Sequence, residues 1–105
     1  MRAYLAMALA VTAFAASPLC AQDRNLGRNL AANCANCHGT NGQSQGGMPS
    51  LAGGDRANFI AQMNAFRTGA RSGPAATIMH QLAKGYSDEQ IGLMADYFAA
   101  QKPAQ

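Results

Sequence analysis

The sequence predicts an all-helical domain, a few helices joined by one long glycine-rich loop. Three observations lead there. Apolar residues recur at offsets of three, four and seven wherever they show regular spacing. No stretch alternates apolar and polar residues in the manner of a half-buried strand. Between the periodic segments, Gly39, Gly42, Gly46, Gly47, Gly53 and Gly54 with Pro49 leave no room for a regular element. There is no heptad and no internal repeat, and 105 residues hold one domain at most.

The elements follow in order. Asp23 to Asn36 reads as a helix in which Leu26 and Leu30 sit four apart, with Gly27 and Ala31 beside them, giving a mostly small, apolar face. The loop from Gly39 to Gly54 is expected to wrap something. Arg56 to Phe66 resumes helical spacing through Phe59, Ile60, Met63 and Phe66, and Gly69, Gly73 and Pro74 interrupt it. A short turn of helix is expected around Ala75 to Ala83, ended by Gly85. The last helix has the clearest start. Ser87 with Gln90 fits a capping box, and Asp88 and Glu89 suit the positive end of the helix dipole. Ile91, Met94, Ala95 and Phe98 form its apolar stripe, widened by Leu93 and Tyr97, and Pro103 is expected to end it.

The first residues have a different character. Residues 1–21 begin with one basic residue, Arg2, continue in an uncharged apolar run from Ala3 to Ala16, and end in Leu19-Cys20-Ala21. That order describes a cleaved secretory signal, with the domain in residues 22–105 and a periplasmic location. A membrane anchor needs about 20 apolar residues, and Ser17-Pro18 interrupts the run early, so no span is expected after signal removal. A cut after Ala21 is favoured over one nearer Ala16. Lipid attachment at Cys20 is disfavoured by the bulky Leu19 before it.

Removing the signal leaves Cys34 and Cys37 as the only cysteines. So short an exported chain is poor in core and needs a staple, which can only lie at these two residues. The basic residues are scattered from Arg24 to Lys102 without a run of like charge, so there is no footprint for nucleic acid.

The stretch CANCHG, Cys34 to Gly39, then sets the chemistry. Structural zinc takes four thiolate or imidazole ligands, usually from two spaced pairs, whereas Cys34, Cys37 and His38 offer one corner and His80 is the only other histidine. A redox disulfide of the thioredoxin kind needs a strand and a βαβ context, which this sequence lacks. Covalent haem uses every residue: each thiol adds to one vinyl group, and the imidazole lies under the iron as an axial ligand. Cys-x-x-Cys-His is the c-type haem attachment signature. For the second axial position the candidates are Met48, Met63, Met79, Met94 and His80. Met63 and Met94 fall on apolar helix stripes and read as core. Met48 is too near His38 to cross the ring. Met79 is expected in an irregular segment between two helices and is the favoured ligand, giving the His/Met pair of high-potential carriers. His80 reads rather as an exposed or hydrogen-bonded histidine.

The chain from 22 onward resembles a class I cytochrome c. A helix runs into Cys34-Ala35-Asn36-Cys37-His38, a loop carries Pro49-Ser50-Leu51-Ala52-Gly53, and a methionine precedes the Ser87-capped helix ending in Tyr97-Phe98. The resemblance implies that the Pro49 carbonyl accepts a hydrogen bond from the His38 ring, and that Gly27 and Leu30 lie where the first helix crosses the last, near Tyr97. Thr77-Ile78-Met79, Ala83-Lys84-Gly85-Tyr86-Ser87 and Met94-Ala95-Asp96-Tyr97-Phe98 look like the haem-bearing subunit of flavocytochrome c sulfide dehydrogenase, in which the methionine after Thr-Ile is the distal ligand. Such subunits have two haem domains, whereas this chain has one Cys-x-x-Cys-His. The resemblance therefore implies a single-haem electron carrier that takes electrons from an FAD-binding flavoprotein and passes them to a downstream acceptor. A freely diffusing carrier serving an oxidase or another redox enzyme is the close alternative, and a haem sensor or small peroxidase the more distant one.

Overall fold

Five helices make the domain in the computed structural model, which describes residues 25–105. The expected signal, residues 1–21, and the expected helix start at Asp23 lie outside the described residues. The helices are α1 (Leu26–Ala31), α2 (Ala35–His38), α3 (Arg56–Thr68), α4 (Thr77–Lys84) and α5 (Asp88–Ala99). Among the described residues there is no strand.

The chain does not leave its helical path between α1 and α2. A tight turn over Ala32–Cys34 links them with right-handed backbone angles throughout, so the helical course extends two residues past the expected Asn36. It stops at Gly39, whose φ of 83° is the left-handed geometry that glycine adopts without cost. The loop that follows contains one short helical turn, Thr40–Gly42. Asp55 starts α3 by accepting the Asn58 N–H at 2.7 Å, and Gly69 ends it in the left-handed conformation. The capping box of α5 is complete: Gln90 N–H donates to Ser87 Oγ at 3.1 Å, and Ser87 N–H donates to Gln90 Oε1 at 2.9 Å.

Two expectations are corrected. The short helix expected around Ala75 to Ala83 forms as α4, and a tight turn at Pro74–Ala76 leads straight into it, so Met79 lies in its first turn and not in an irregular segment. Pro103 does not end α5. The helix ends at Ala99, and Pro103 instead lies against Gly53, where a Cβ would come within 2.6 Å of the proline ring.

The core is small. Ala31, Met63, Phe66, Ala76, Ala83, Ile91, Met94 and Phe98 form one buried cluster, and both methionines expected as core are in it. α1 crosses α5, while α3 packs on α4 and α5. The first crossing is close: a Cβ on Gly27 would lie 2.7 Å from the Leu93 carbonyl oxygen and 3.4 Å from Tyr97 Cβ. Ion pairs sit outside this core. Arg56 pairs with Asp96 at 2.5 Å, with both side chains more than half exposed, so solvent screens it. Arg67 reaches Asp88 and also donates to the Tyr86 carbonyl at 3.3 Å, tying the end of α3 to the start of α5.

Gly27→Ala should therefore lower the stability of the haem-loaded protein by about 1–3 kcal/mol, since the clash is with backbone that cannot rotate away. Gly46→Ala, where a Cβ would meet nothing within 4 Å, should change it by less than about 0.5 kcal/mol. Denaturant titration of the two variants checks this.

Candidate functional site

The site begins with helical spacing. Cys34, Cys37 and His38 are separated by three and four residues along a helical path, so they share one face. Both thiols are free; Cys34 is half-buried and Cys37 is exposed. Burial pushes the Cys34 thiol up from its ordinary value, and the neighbouring Cys37 adds to the rise.

His38 is the one buried polar or charged residue among those described, with 8% of its surface exposed. Its Nδ1–H donates to the Pro49 carbonyl at 2.6 Å. A carbonyl can only accept, so the proton is on Nδ1, and in the neutral ring Nε2 carries the lone pair. No buried side-chain nitrogen or oxygen among the described residues lacks a partner. Nε2 makes no hydrogen bond there, so it keeps access to the surface. The imidazole is thus held by one nitrogen and presents the other as a donor of an electron pair.

The loop that supplies the Pro49 carbonyl is held from behind. The Gly42 carbonyl accepts three donors: Ser50 Oγ at 2.8 Å, and the Leu51 and Ala52 N–H groups at 2.8 and 3.1 Å. Gly39 closes the other side of this turn. A Cβ there would fall 2.2 Å from the Gln43 carbonyl oxygen. Ser50 and Gly42 were not identifiable as site residues from sequence. The only available signal was a hydroxyl beside a loop proline, a common arrangement in turns.

The structure keeps the two remaining sequence candidates apart in character. Met79 is half-buried on α4 and packs against the core cluster. The His80 ring donates from Nε2 to the Arg71 carbonyl at 2.5 Å and stands 6.3 Å from the Phe66 ring, so its Nε2 is already engaged. Met48 is exposed in the loop, as are Ile78 and Leu82 on α4, with 40, 65 and 41% of their surfaces accessible. No three His, Cys, Asp or Glu side chains among the described residues are grouped to hold a metal ion, which leaves zinc without a ligand set. Covalent haem fits what is present: two free thiols on one helical face and an imidazole with its outer nitrogen available.

Comparison with known proteins agrees. The family model described as cytochrome c matches residues 25–102. The cytochrome subunit of sulfide dehydrogenase from Chlorobaculum tepidum is 39% identical over 72 residues, which cover 69% of this chain and 63% of that protein. Cytochrome c-554(548) from Halomonas halodenitrificans is 35% identical over 83 residues, 78% of this chain and 100% of that protein. The thiosulfate dehydrogenase electron acceptor of Stutzerimonas stutzeri is 37% identical over 73 residues, covering 69% of this chain and 33% of that protein. The chain therefore spans less than two thirds of the sulfide dehydrogenase subunit that it matches.

Ser50→Ala removes one of the three donors on the Gly42 carbonyl, at a cost of about 1 kcal/mol. In the haem-loaded protein, proton exchange at His38 Nδ1 should then quicken roughly fivefold, as the Pro49 loop opens more often. Nuclear magnetic resonance of the ring N–H measures it.

Proposed function

Because this chain belongs to the cytochrome c family, with haem c as its cofactor, we propose that it is a single-haem electron carrier exported to the periplasm and reduced by an FAD-containing sulfide dehydrogenase subunit. The observation that carries the reading is the orientation of His38: one ring nitrogen fixed on Pro49, the other available, on the face that bears both thiols. In this reading Cys34 and Cys37 would hold the porphyrin through thioether bonds, and His38 Nε2 and the Met79 thioether would hold the iron. When bound, haem c supplies one-electron exchange between ferrous and ferric iron. The chain itself positions these side chains. The hydrogen bond to Pro49 fixes the Nδ1–H tautomer and stops the ring turning, so little has to reorganise when the charge changes. No nucleophile or acid–base pair is required, so the chain is an electron-transfer protein and oxidation of the sulfur compound belongs to its partner.

The relatives support the choice of partner. One is named as a subunit of sulfide dehydrogenase and another as the electron acceptor of thiosulfate dehydrogenase, so carriers that serve sulfur-oxidising dehydrogenases recur among them. Export is supported by the character of residues 1–21. No helix among the described residues is long and apolar enough to cross a membrane.

Three measurements test this. The oxidised protein should show the weak near-infrared absorption of sulfur-to-iron ligation, and Met79→Ala should abolish it; a wild type without the band that binds carbon monoxide at neutral pH would overturn the ligand assignment in favour of a sensor. Affinity purification from its native cells should bring down an FAD protein, and the amino terminus of the purified chain should be Gln22. A monomer reduced equally well by many donors would instead mark a freely diffusing carrier.

A further inference from the structure

The segment between α3 and α4 is fixed to α3 in three ways, all through Arg71. Its backbone N–H donates to the Ala65 carbonyl at 3.0 Å, its Nη1 donates to Gln62 Oε1 at 2.8 Å, and its guanidinium lies 4.6 Å over the Phe66 ring. The one Arg71 group left is its carbonyl, which accepts the His80 Nε2–H at 2.5 Å. That bond crosses from the end of α3 to the first turn of α4.

Little else holds α4 by a directional contact. Ala76 just before it and Ala83 within it are its buried anchors, and both are smooth methyl surfaces that allow a helix to rock. Thr77, Gln81 and Lys84 are exposed. Among the described residues, the His80 bond is the only side-chain hydrogen bond joining α4 to another segment. Met79 is the residue immediately before it.

We propose that His80 is a positioning residue, a clasp whose bond to the Arg71 carbonyl holds the first turn of α4 so that the Met79 thioether leaves the iron rarely. This rests on Met79 being the distal ligand. The same bond gives His80 a tautomer with its proton on Nε2, and that nitrogen has no lone pair to offer a metal. His80 thus supports the neighbouring ligand instead of competing with it. An added ligand binds only when the thioether is off, so its apparent affinity is proportional to the fraction of time the clasp is open.

The test is imidazole binding to the ferric, haem-loaded full chain, followed optically. His80→Ala loses a hydrogen bond to a fixed acceptor, and imidazole should bind roughly tenfold more tightly than to the wild type. The near-infrared band should remain in the absence of imidazole. His80→Gln places an amide N–H at similar reach and should return the affinity to within about twofold of the wild type. Unchanged affinity in His80→Ala overturns the clasp. So does a His80→Gln variant that binds imidazole as tightly as the alanine one, since packing on Phe66 would then be the cause. If the wild type has the near-infrared band and Met79→Ala lacks it, the ligand assignment survives either failure. If the wild type lacks the band, and Met79→Ala retains a low-spin ferric haem that His80→Ala loses, His80 is itself the ligand and both readings fall.

Discussion

The close crossing of α1 over α5 orders the rest of the molecule. Gly27 has no side chain, so the backbone of α1 can lie against the Leu93 carbonyl of α5. From that crossing the chain runs without a break through Ala31, which is buried, to Cys34, Cys37 and His38. A helix is stiff along its length, so fixing α1 against α5 also fixes the direction in which the thiols and the imidazole point. The site is therefore set by helix packing rather than by the loop that follows it.

The loop contributes a single oxygen, that of Pro49. Loops are normally the mobile part of a small domain, and an acceptor on a mobile loop would hold an imidazole poorly. Here the Gly42 carbonyl gathers three donors from the residues just after Pro49, and Gly53 N–H donates to the Phe98 carbonyl of α5 at 2.8 Å. Both ends of the Pro49 segment are thereby tied to parts of the fold already fixed by the core. Tyr97 adds to this from the same helix, its hydroxyl donating to Asn41 Oδ1 at 2.7 Å. α5 thus backs the helix that carries His38 and steadies the loop that orients its ring.

What was legible in the sequence was whatever local chemistry determines. The capping box at Ser87 and Gln90, the apolar stripe from Ile91 to Phe98 and the Cys-x-x-Cys-His spacing each depend on residues a few positions apart, and each appears in the fold as expected. Met63 and Met94 were recognisable as core for the same reason. The misplaced features depend on distant partners. Nothing near Pro103 reveals that it will lie on Gly53, and nothing near Arg71 reveals that its carbonyl will meet His80. Met79 was expected in irregular chain although a short helix was expected around Ala75 to Ala83, and the structure favours the helix: proline suits its first turn and here leads into α4.

The pairing of the first described helix with the last also has a temporal meaning. A polypeptide emerges from its N-terminal end, so the segment bearing both sulfur atoms appears before its packing partner, which follows only after the loop, α3 and α4. Until then the helix before Cys34 has no opposing surface, and a lone helix this short barely persists in water. The half-burial of Cys34 seen in the finished fold consequently has to wait for α5. The order of synthesis alone gives the thiols a window of open access in which covalent modification can take place before the structure closes over them.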